Sequence, residues 1–311
     1  MKLNAAVIII SGRPYLLEKT LNCFYKFWNN VFNYPVYIHT LGEKYSEDEK
    51  RYFKKKFKNL SFFTVTPYYP KNLKQKEFFY NRFYNSYAFN SFNLRRLGYL
   101  QSIFFGSNIS SFGKVGCLSK KLANYDYIMR IDDDSWFREK IKYDLFKKMK
   151  KFPIATGRLT ISRSRKITKT RENLVSFLKK YTTQNNIKVR LKIIRDILKS
   201  NDDEKLNNLE YTLGNFDIYN MKYFKSKKFI NFISSINNFG GQFKYRWADY
   251  DITNLFVYVI LGKKIKDFKF SNEIYTSSHP EAKSINDQVS LIDYIYYLLQ
   301  KRIYKFKEFF L

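Results

Sequence analysis

Residues 125–137 read Tyr-Asp-Tyr-Ile-Met-Arg-Ile-Asp-Asp-Asp-Ser-Trp-Phe. The apolar residues from Tyr127 to Ile131 predict a buried strand. The three carboxylates of residues 132–134 would then lie at its carboxyl end, where open α/β sheets bind ligands. Adjacent negative charges repel one another, so a folded protein tolerates them best when a cation neutralises them. The stretch therefore predicts a divalent-cation site, and the alternative is a solvated acidic turn.

The composition limits the size of the core and the charge of the surface. The chain has 311 residues and is 45% hydrophobic, which is enough for one large α/β domain or two small ones. Its net charge of +30 attracts polyanions such as nucleic acid, anionic lipid or phosphorylated substrates. Lys, Asn, Ile, Phe and Tyr are all over-used, as codon bias in an AT-rich genome would produce. The charge alone therefore does not identify a partner.

The cysteines and the apolar stretches bear on the cellular location. Cys23 and Cys117 are far apart and outside any CxxC spacing, which indicates neither a zinc site nor a disulfide framework. No apolar stretch reaches the 18 residues of a transmembrane helix. The apolar residues 5–10 are too short for a signal peptide and predict a first buried strand. We therefore expect a cytoplasmic protein without a signal peptide or membrane span.

The first 66 residues alternate between strand and helix patterns. The predicted strands are residues 5–10, 34–40 and 60–66, and the helices between them are residues 15–32 and 43–57. This order is that of a nucleotide-binding half-domain. Arg13 follows the first strand after a two-residue gap, where it is placed to contact a nucleotide.

The second half of the chain carries a basic segment. Residues 143–150 predict a helix, and residues 154–161 predict a strand. Residues 162–200 are strongly basic and then amphipathic, and Asn201-Asp202-Asp203-Glu204 follows them. We interpret this segment as an exposed helical excursion over the sheet rather than as a separate domain.

Three motifs downstream of the acidic triplet complete a recognisable pattern. They are Asn215-Phe216-Asp217-Ile218, Gly240-Gly241-Gln242-Phe243-Lys244-Tyr245-Arg246-Trp247-Ala248-Asp249 and His279-Pro280. Their order and spacing resemble the fungal-type retaining α1,2-mannosyltransferases. That family has Glu-Pro-Asp in the place of the triplet, followed by Asn-Phe-Glu-Ile, Gly-Gly-Phe-x-x-x-Arg-Trp-x-Asp and His-Pro. The first carboxylate of the triplet and Asp217 are each one methylene shorter here.

The resemblance implies a GT-A-type α/β fold, with a Rossmann-like nucleotide-binding half and a mixed central sheet flanked by helices. A single glycosyltransferase domain would cover residues 1–311. Residues 1–135 would bind the nucleotide sugar, residues 136–290 would form the acceptor and catalytic half, and residues 291–311 would form an amphipathic helix. The basic excursion would occupy about residues 162–204 of the second half.

The resemblance also implies a metal-dependent retaining glycosyltransferase that transfers mannose from GDP-mannose to a hydroxyl of a glycan or glycoprotein. Mn²⁺ or Mg²⁺ bridging the phosphates would stabilise the leaving diphosphate. Asp134 is the first candidate metal ligand, and Asp132 is the second carboxylate, which also contacts the donor. His279, in the His-Pro motif of the family, would complete the metal site.

Asp217 occupies the position that lies beneath the anomeric carbon in the resembling family. It would act as a nucleophile or stabilise an oxocarbenium-like state, and the sequence leaves both open. The alternative is that Asp217 caps a helix that begins at Ile218.

Four further residues are candidates on the acceptor and donor sides. Arg246, Trp247 and Asp249 would offer a cation, a stacking face for a sugar and an acceptor-binding carboxylate. Arg246 would equally serve in a buried structural ion pair. Tyr99 lies in a region that resembles the phosphate-contacting tyrosine segment of the family, and plain packing is its alternative.

Other functions compete with this prediction. The C-terminal helix alternates aromatic with basic residues, so it would pack on the domain or contact an anionic membrane surface peripherally. A polyanion-binding protein would also use the positive charge, although no specific nucleic-acid motif is present. Within the glycosyltransferases, a UDP-sugar donor or an inverting mechanism with Asp249 as the base are further alternatives.

Overall fold

The computed structural model describes residues 3–41, 45–65, 80–81, 86–87, 122, 124–149, 151–161, 171–212, 214–241, 245 and 247–277. Its strands, in chain order, are β1 Ala5–Ile10, β2 Val36–Leu41, β3 Leu60–Val65, β4 Tyr80–Asn81, β5 Ser86–Tyr87, β6 Tyr127–Asp132, β7 Ser135–Phe137, β8 Ile154–Thr156, β9 Thr160–Ile161, β10 Glu210–Tyr211, β11 Phe216–Asn220, β12 Lys266–Asp267 and β13 Tyr275–Ser277.

Seven of these strands form one mixed sheet. Their order is β12-β8-β11-β6-β1-β2-β3, and β11 alone runs antiparallel to its neighbours. The carboxyl ends of β6, β1 and β2 therefore meet at one edge of the sheet. Because β11 runs the other way, its first residues lie at that same edge. Three short antiparallel pairs, β4–β5, β7–β13 and β9–β10, lie outside the main sheet.

Nine α-helices lie within the described residues, and two of them begin at recognisable start signals in the sequence. They are α1 Pro14–Phe24, α2 Asn30–Phe32, α3 Glu47–Lys56, α4 Leu145–Met149, α5 Leu174–Gln184, α6 Lys192–Ser200, α7 Met221–Phe224, α8 Lys227–Phe239 and α9 Asp249–Leu255. Pro14 occupies the first turn of α1, where no backbone donor is needed. A capping box between Ser46 and Glu49 starts α3. Segments of π-helix follow α1 and α9, over Tyr25–Asn29 and Phe256–Ile260, and a 3-10 turn covers Asp203–Asn208.

Each face of the sheet is covered by helices and has its own apolar core. Alternate residues of β1 point to opposite faces, so Ile8 and Ile10 enter one core while Val7 and Ile9 enter the other. The first core also contains buried side chains of α5, α6, α8 and α9. The second contains those of α1, α3 and α4. All six residues of β1 are buried, as a central strand requires.

The predicted opening order of strand, helix, strand, helix, strand is confirmed by β1 to β3 with α1 and α3. The predicted strand over residues 154–161 is divided into β8 and β9, with Gly157 between them. The later part of the basic excursion forms α5 and α6, whose apolar faces are buried in the first core. Residues 291–311 lie outside the described residues. Among the residues that are described, no helix is long and apolar enough to cross a membrane.

The two adjacent glycines of the Gly-Gly motif have different structural roles. Gly240 ends α8 with a φ of +76°, a left-handed conformation that glycine adopts without steric cost. A Cβ on Gly241 would overlap with the indole ring of Trp247. Trp247 is 2% exposed and stacks on Phe239. The prediction that Trp247 offers a face to a sugar is therefore wrong, because its ring is part of the core.

We expect Gly241→Ala to lower the free energy of unfolding by about 1–3 kcal/mol, since the added methyl group would overpack a rigid, buried ring. Gly12→Ala is the matched control, because a Cβ there meets nothing within 4 Å. Urea denaturation of both variants measures the difference. Equal stability of the two variants would contradict the close approach of Gly241 to Trp247.

Candidate active site

The acidic triplet lies at the carboxyl end of β6, as predicted. Asp132 is the last residue of the strand, and Asp133 and Asp134 form the turn into β7. Their side chains differ in exposure: Asp132 is 18% exposed, Asp133 1% and Asp134 5%. The alternative of a solvated turn is therefore wrong, because two of the three carboxylates are buried.

Asp133 connects the end of β6 to the loop that follows β1. Its Oδ2 accepts hydrogen bonds from Ser11 Oγ at 2.9 Å and from the backbone N of Gly12 at 3.1 Å. Its Oδ1 accepts from Arg13 Nε at 3.0 Å and also pairs with Arg13 Nη2. With both oxygens engaged by protein groups, Asp133 holds two strand ends together.

Arg13 also reaches Asp134, and its Nη2 lies 2.9 Å from Asp134 Oδ2. Ser135 Oγ donates to the other oxygen of Asp134 at 3.4 Å. The two carboxylates keep the pKa of Arg13 well above its usual value, although burial alone would lower it. Arg13 is thus a permanent cation between β1 and the triplet.

The carboxylates at the end of β6 have some of the properties of a divalent-cation site. Burial raises the pKa of Asp132 to about 7, Arg130 opposes this, and the charges of Asp134 and Asp249 add to it. A divalent cation would relieve that repulsion, and carboxylate oxygens suit Mn²⁺ and Mg²⁺. Within the described part of the chain, no three His, Cys, Asp or Glu side chains are grouped to hold a metal. Asp132 therefore fits as one ligand of a site that needs others, and Asp134 fits as a second if a cation replaces its contact with Arg13.

Arg130 links the triplet to the far side of the site. It lies in β6, is 4% exposed, and its Nη2 is 3.3 Å from Asp132 Oδ1. Its Nη1 pairs with Asp249 Oδ2. These carboxylates keep the pKa of Arg130 well above its usual value against the effect of burial. One guanidinium therefore holds the carboxylate at the end of β6 and the first residue of α9.

Asp217 lies in the middle of the sheet, directly across from Arg130. The register pairs it with Arg130 of β6 on one side and Thr156 of β8 on the other. Its Oδ2 accepts hydrogen bonds from Thr212 Oγ1 at 3.1 Å and from Tyr219 OH at 2.9 Å. The alternative that Asp217 caps a helix is wrong, because β11 continues to Asn220.

The environment of Asp217 disfavours its negative charge. Burial raises its pKa to about 6, while the charge of Arg130 and the hydrogen bonds from Tyr219 and Thr212 lower it. The group is therefore ionised near neutral pH but titrates within the accessible range. Such a carboxylate can stabilise a developing positive charge in a water-poor site.

The structure brings five of the eight predicted site residues into one connected cluster. Arg13 contacts Asp134, Arg130 joins Asp132 to Asp249, and Arg130 interacts electrostatically with Asp217. The other three, Tyr99, Arg246 and His279, lie outside the described residues.

Two residues of the cluster were not predicted, although the sequence holds a signal for each. Arg130 is a charged residue inside an otherwise apolar strand, a position that requires a buried anion. Tyr219 is two residues after Asp217, so on a strand the two side chains share a face. Thr212 gives no such signal, because only the tertiary structure places it beside Asp217.

A family model described as glycolipid 2-alpha-mannosyltransferase matches residues 1–302 of the chain. The chain belongs to this family. The resemblance stated from the motifs is thereby confirmed.

Individual mannosyltransferases of Saccharomyces cerevisiae are similar to the chain. The glycolipid 2-alpha-mannosyltransferase is 26% identical over 185 residues, which are 53% of this chain and 40% of that protein. Mannosyltransferase KTR6 is 27% identical over 148 residues, which are 46% of this chain and 31% of that protein. The matched region spans less than half the length of either relative.

Solved mannosyltransferase structures have the same fold. The mannosyltransferase Ktr4p of S. cerevisiae gives a TM-score of 0.66 at 18% identity, with 89% of this chain and 71% of that chain covered. Core-mannan synthase A of Aspergillus fumigatus, in a Mn/GDP form, gives a TM-score of 0.62 at 17% identity, with 88% of this chain and 74% of that chain covered. The predicted GT-A-type α/β fold with a mixed central sheet is confirmed.

For this member of the mannosyltransferase family, we expect Asp217→Asn to change stability in a pH-dependent way. Since the pKa of Asp217 is raised from 3.8 to about 6 in the folded protein, the contribution of Asp217 to the stability of wild type should fall as the pH rises from 4 through 6. The variant does not undergo this loss. Its stability relative to wild type should therefore improve by up to about 3 kcal/mol between pH 4 and pH 7.

Urea unfolding of both proteins at the two pH values measures this change. Asp126→Asn removes one exposed carboxylate and controls for the change in net charge. A stability difference between Asp217→Asn and wild type that is the same at pH 4 and pH 7 would contradict the raised pKa.

Proposed function

We propose that the chain is a metal-dependent retaining glycosyltransferase that transfers mannose from GDP-mannose to a hydroxyl of a glycan or glycoprotein. The observation that carries the proposal is the cluster of Asp132, Asp217 and Asp249 around the buried Arg130, with Asp134 beside it on Arg13. Membership in a mannosyltransferase family supports the reaction type. A relative of the same fold in a Mn/GDP form supports the nucleotide and the metal.

The donor would bind at the triplet. Asp132 and Asp134 would hold Mn²⁺ or Mg²⁺, which when bound stabilises the charge of a leaving diphosphate. Asp133 would remain with Ser11 and Arg13, keeping the strand ends in place. Arg13 lies at this edge and would add positive charge beside the phosphates. His279 and Tyr99 stay predictions as further metal and donor contacts.

Asp217 would act on the reacting sugar by electrostatic stabilisation. Its Oδ2 already accepts two hydrogen bonds, and its side chain is fully buried between β6 and β8. Full burial opposes direct covalent attack, which needs a carboxylate oxygen nearly touching the anomeric carbon, even though Oδ1 accepts no hydrogen bond within the described part of the chain. We therefore favour a front-face reaction, with Asp217 lowering the free energy of an oxocarbenium-like state and the leaving phosphate accepting the proton of the acceptor hydroxyl.

The acceptor would bind beside α9. Asp249 begins this helix and is held by Arg130, so its carboxylate is oriented before any acceptor arrives. Preorganised polar groups of this kind orient a hydroxyl at little cost in entropy. Arg246 stays a prediction for the same side of the site. An inverting reaction with Asp249 as the base remains the alternative that analysis of the product anomer would detect.

The polyanion-binding alternative is disfavoured by the family match over residues 1–302. A peripheral membrane contact through residues 291–311 and a cytoplasmic location both stay predictions.

A thermal-shift series with GDP, UDP and ADP, each with and without Mn²⁺, tests the donor site. We expect GDP to raise the melting temperature only when the metal is present. An equal metal-dependent response to UDP would show that GDP-mannose is not the specific donor, and the proposed reaction would still be a glycosyl transfer. If no nucleotide stabilised the protein, the proposed function would be wrong.

Two neighbouring carboxylates should respond differently to the same substitution. Asp132→Asn should abolish the metal-dependent stabilisation by GDP without lowering the stability of the free protein, because it relieves repulsion in the cluster. Asp133→Asn should lower the free energy of unfolding by about 1–3 kcal/mol, since it weakens the hydrogen bonds to Arg13, Ser11 and Gly12 while Arg13 keeps Asp134 as a partner. Denaturation and GDP thermal shift, measured on both variants, compare the two roles. These roles would be contradicted if Asp132→Asn destabilised the protein while Asp133→Asn abolished the response to GDP and metal.

A further inference from the structure

The proposed mechanism makes no use of a second buried ion pair, between Arg171 and Asp251. Both side chains are 0% exposed, and Asp251 Oδ1 lies 2.9 Å from Arg171 Nε and 2.8 Å from Nη2. Arg171 Nη1 donates to Asn207 Oδ1 at 2.8 Å, and the guanidinium lies over the ring of Tyr211 at 4.2 Å. Arg171 therefore connects the segment before α5, the 3-10 turn, β10 and α9.

The position of Asp251 gives this pair a relation to the site. Asp251 lies in the first turn of α9, two residues after Asp249. The N-cap residue, Ala248, has no side-chain cap, so side chains within the turn must hold it in place. Asp249 pairs with Arg130 of the sheet, and Asp251 pairs with Arg171 from outside the sheet. The turn is fixed by one buried arginine on each side.

The next turn of α9 connects to the other proposed catalytic carboxylate. Asn254 Oδ1 accepts from the backbone N of Thr212 at 3.0 Å, and Asn254 Nδ2 donates to Thr212 Oγ1 at 3.1 Å. Thr212 Oγ1 in turn donates to Asp217 Oδ2 at 3.1 Å. Displacement of α9 would therefore change the surroundings of Asp217 as well as the position of Asp249.

We propose that Arg171 is a positioning residue, which through Asp251 fixes α9 so that Asp249 stays in place to orient an acceptor hydroxyl. This inference rests on the proposed function, because it takes Asp249 as the acceptor-side carboxylate. Arg171 acts through α9 and touches neither substrate. Its loss should therefore impair acceptor use and leave donor binding at the triplet intact.

The energetics of buried ion pairs allow positioning to be separated from stability. Removal of one partner leaves a buried charge without its counter-ion and is strongly destabilising. Replacement of both partners by apolar side chains of similar volume is often neutral or stabilising. The double variant Arg171→Met with Asp251→Leu should therefore recover the stability that each single variant loses. It would not recover the directed hydrogen bonds that orient α9.

The experiment compares wild type, both single variants and the double variant. Urea denaturation gives stability, and the thermal shift with GDP and Mn²⁺ gives donor binding. Assays with GDP-mannose and methyl α-mannoside give the acceptor KM and the ratio of transfer to hydrolysis. We expect the double variant to have near wild-type stability and donor binding but an acceptor KM about tenfold higher, since small displacements of positioning groups have effects of this size or larger.

Two further variants keep the test decisive. Lys192→Met with Asp196→Leu removes an exposed pair on α6 and should change neither stability nor acceptor KM markedly. Arg171→Lys retains the charge but loses the planar fork, so it should raise the acceptor KM even if the double variant fails to fold.

Wild-type acceptor KM and transfer ratio in the folded double variant, or in Arg171→Lys, would show that the pair is only structural and would overturn the inference. A wild-type protein that neither binds GDP with Mn²⁺ nor transfers mannose would instead refute the proposed function.

Discussion

The buried guanidinium of Arg130 is the interaction on which the rest of the site depends. Three carboxylates, those of Asp132, Asp217 and Asp249, interact with this one cation in a region shielded from water. Without it, their mutual repulsion and the cost of burial would favour protonation or local opening. With it, a cluster of negative groups stays in place before any metal or substrate binds. The cost of burying the arginine is offset because several carboxylates share it.

The reversed direction of β11 gives this cluster its geometry. An antiparallel neighbour places Asp217 opposite Arg130, with both side chains on the same face of the sheet. Tyr219, two residues later, lies on that face and donates to Asp217. A parallel strand would have brought its carboxyl end to this edge, so Asp217, near the start of β11, would have lain at the opposite edge. The one reversed strand therefore combines residues from two distant parts of the chain.

Much of the fold was predictable because its signals are local. Periods of 2 and 3.6 residues mark β1 to β3 with their helices, and the strand before the triplet is marked by its apolar run. For the site, the sequence predicted several of the residues that belong to it but not the contacts that connect them. The motifs identified Asp132, Asp217 and Asp249, but not the arginine that joins them. The prediction for Trp247 failed because an aromatic residue in a motif does not reveal which way its ring points, and Gly241 leaves the space that admits the ring to the core.

The sequence by itself determined the fold class, the acidic triplet at a strand end and the resemblance to a mannosyltransferase family, since each depends on residues close together in the chain. Only the tertiary structure decided which arginine engages each carboxylate. Asp133 is bound to Arg13 and Ser11, whereas Asp132 is bound to Arg130 and keeps more exposure, and adjacency in sequence does not distinguish them. The tertiary structure likewise decided that α9 pairs with Arg130 and Arg171. Long-range contacts depend on how the strands and helices pack, and that information is absent from any short stretch of the chain.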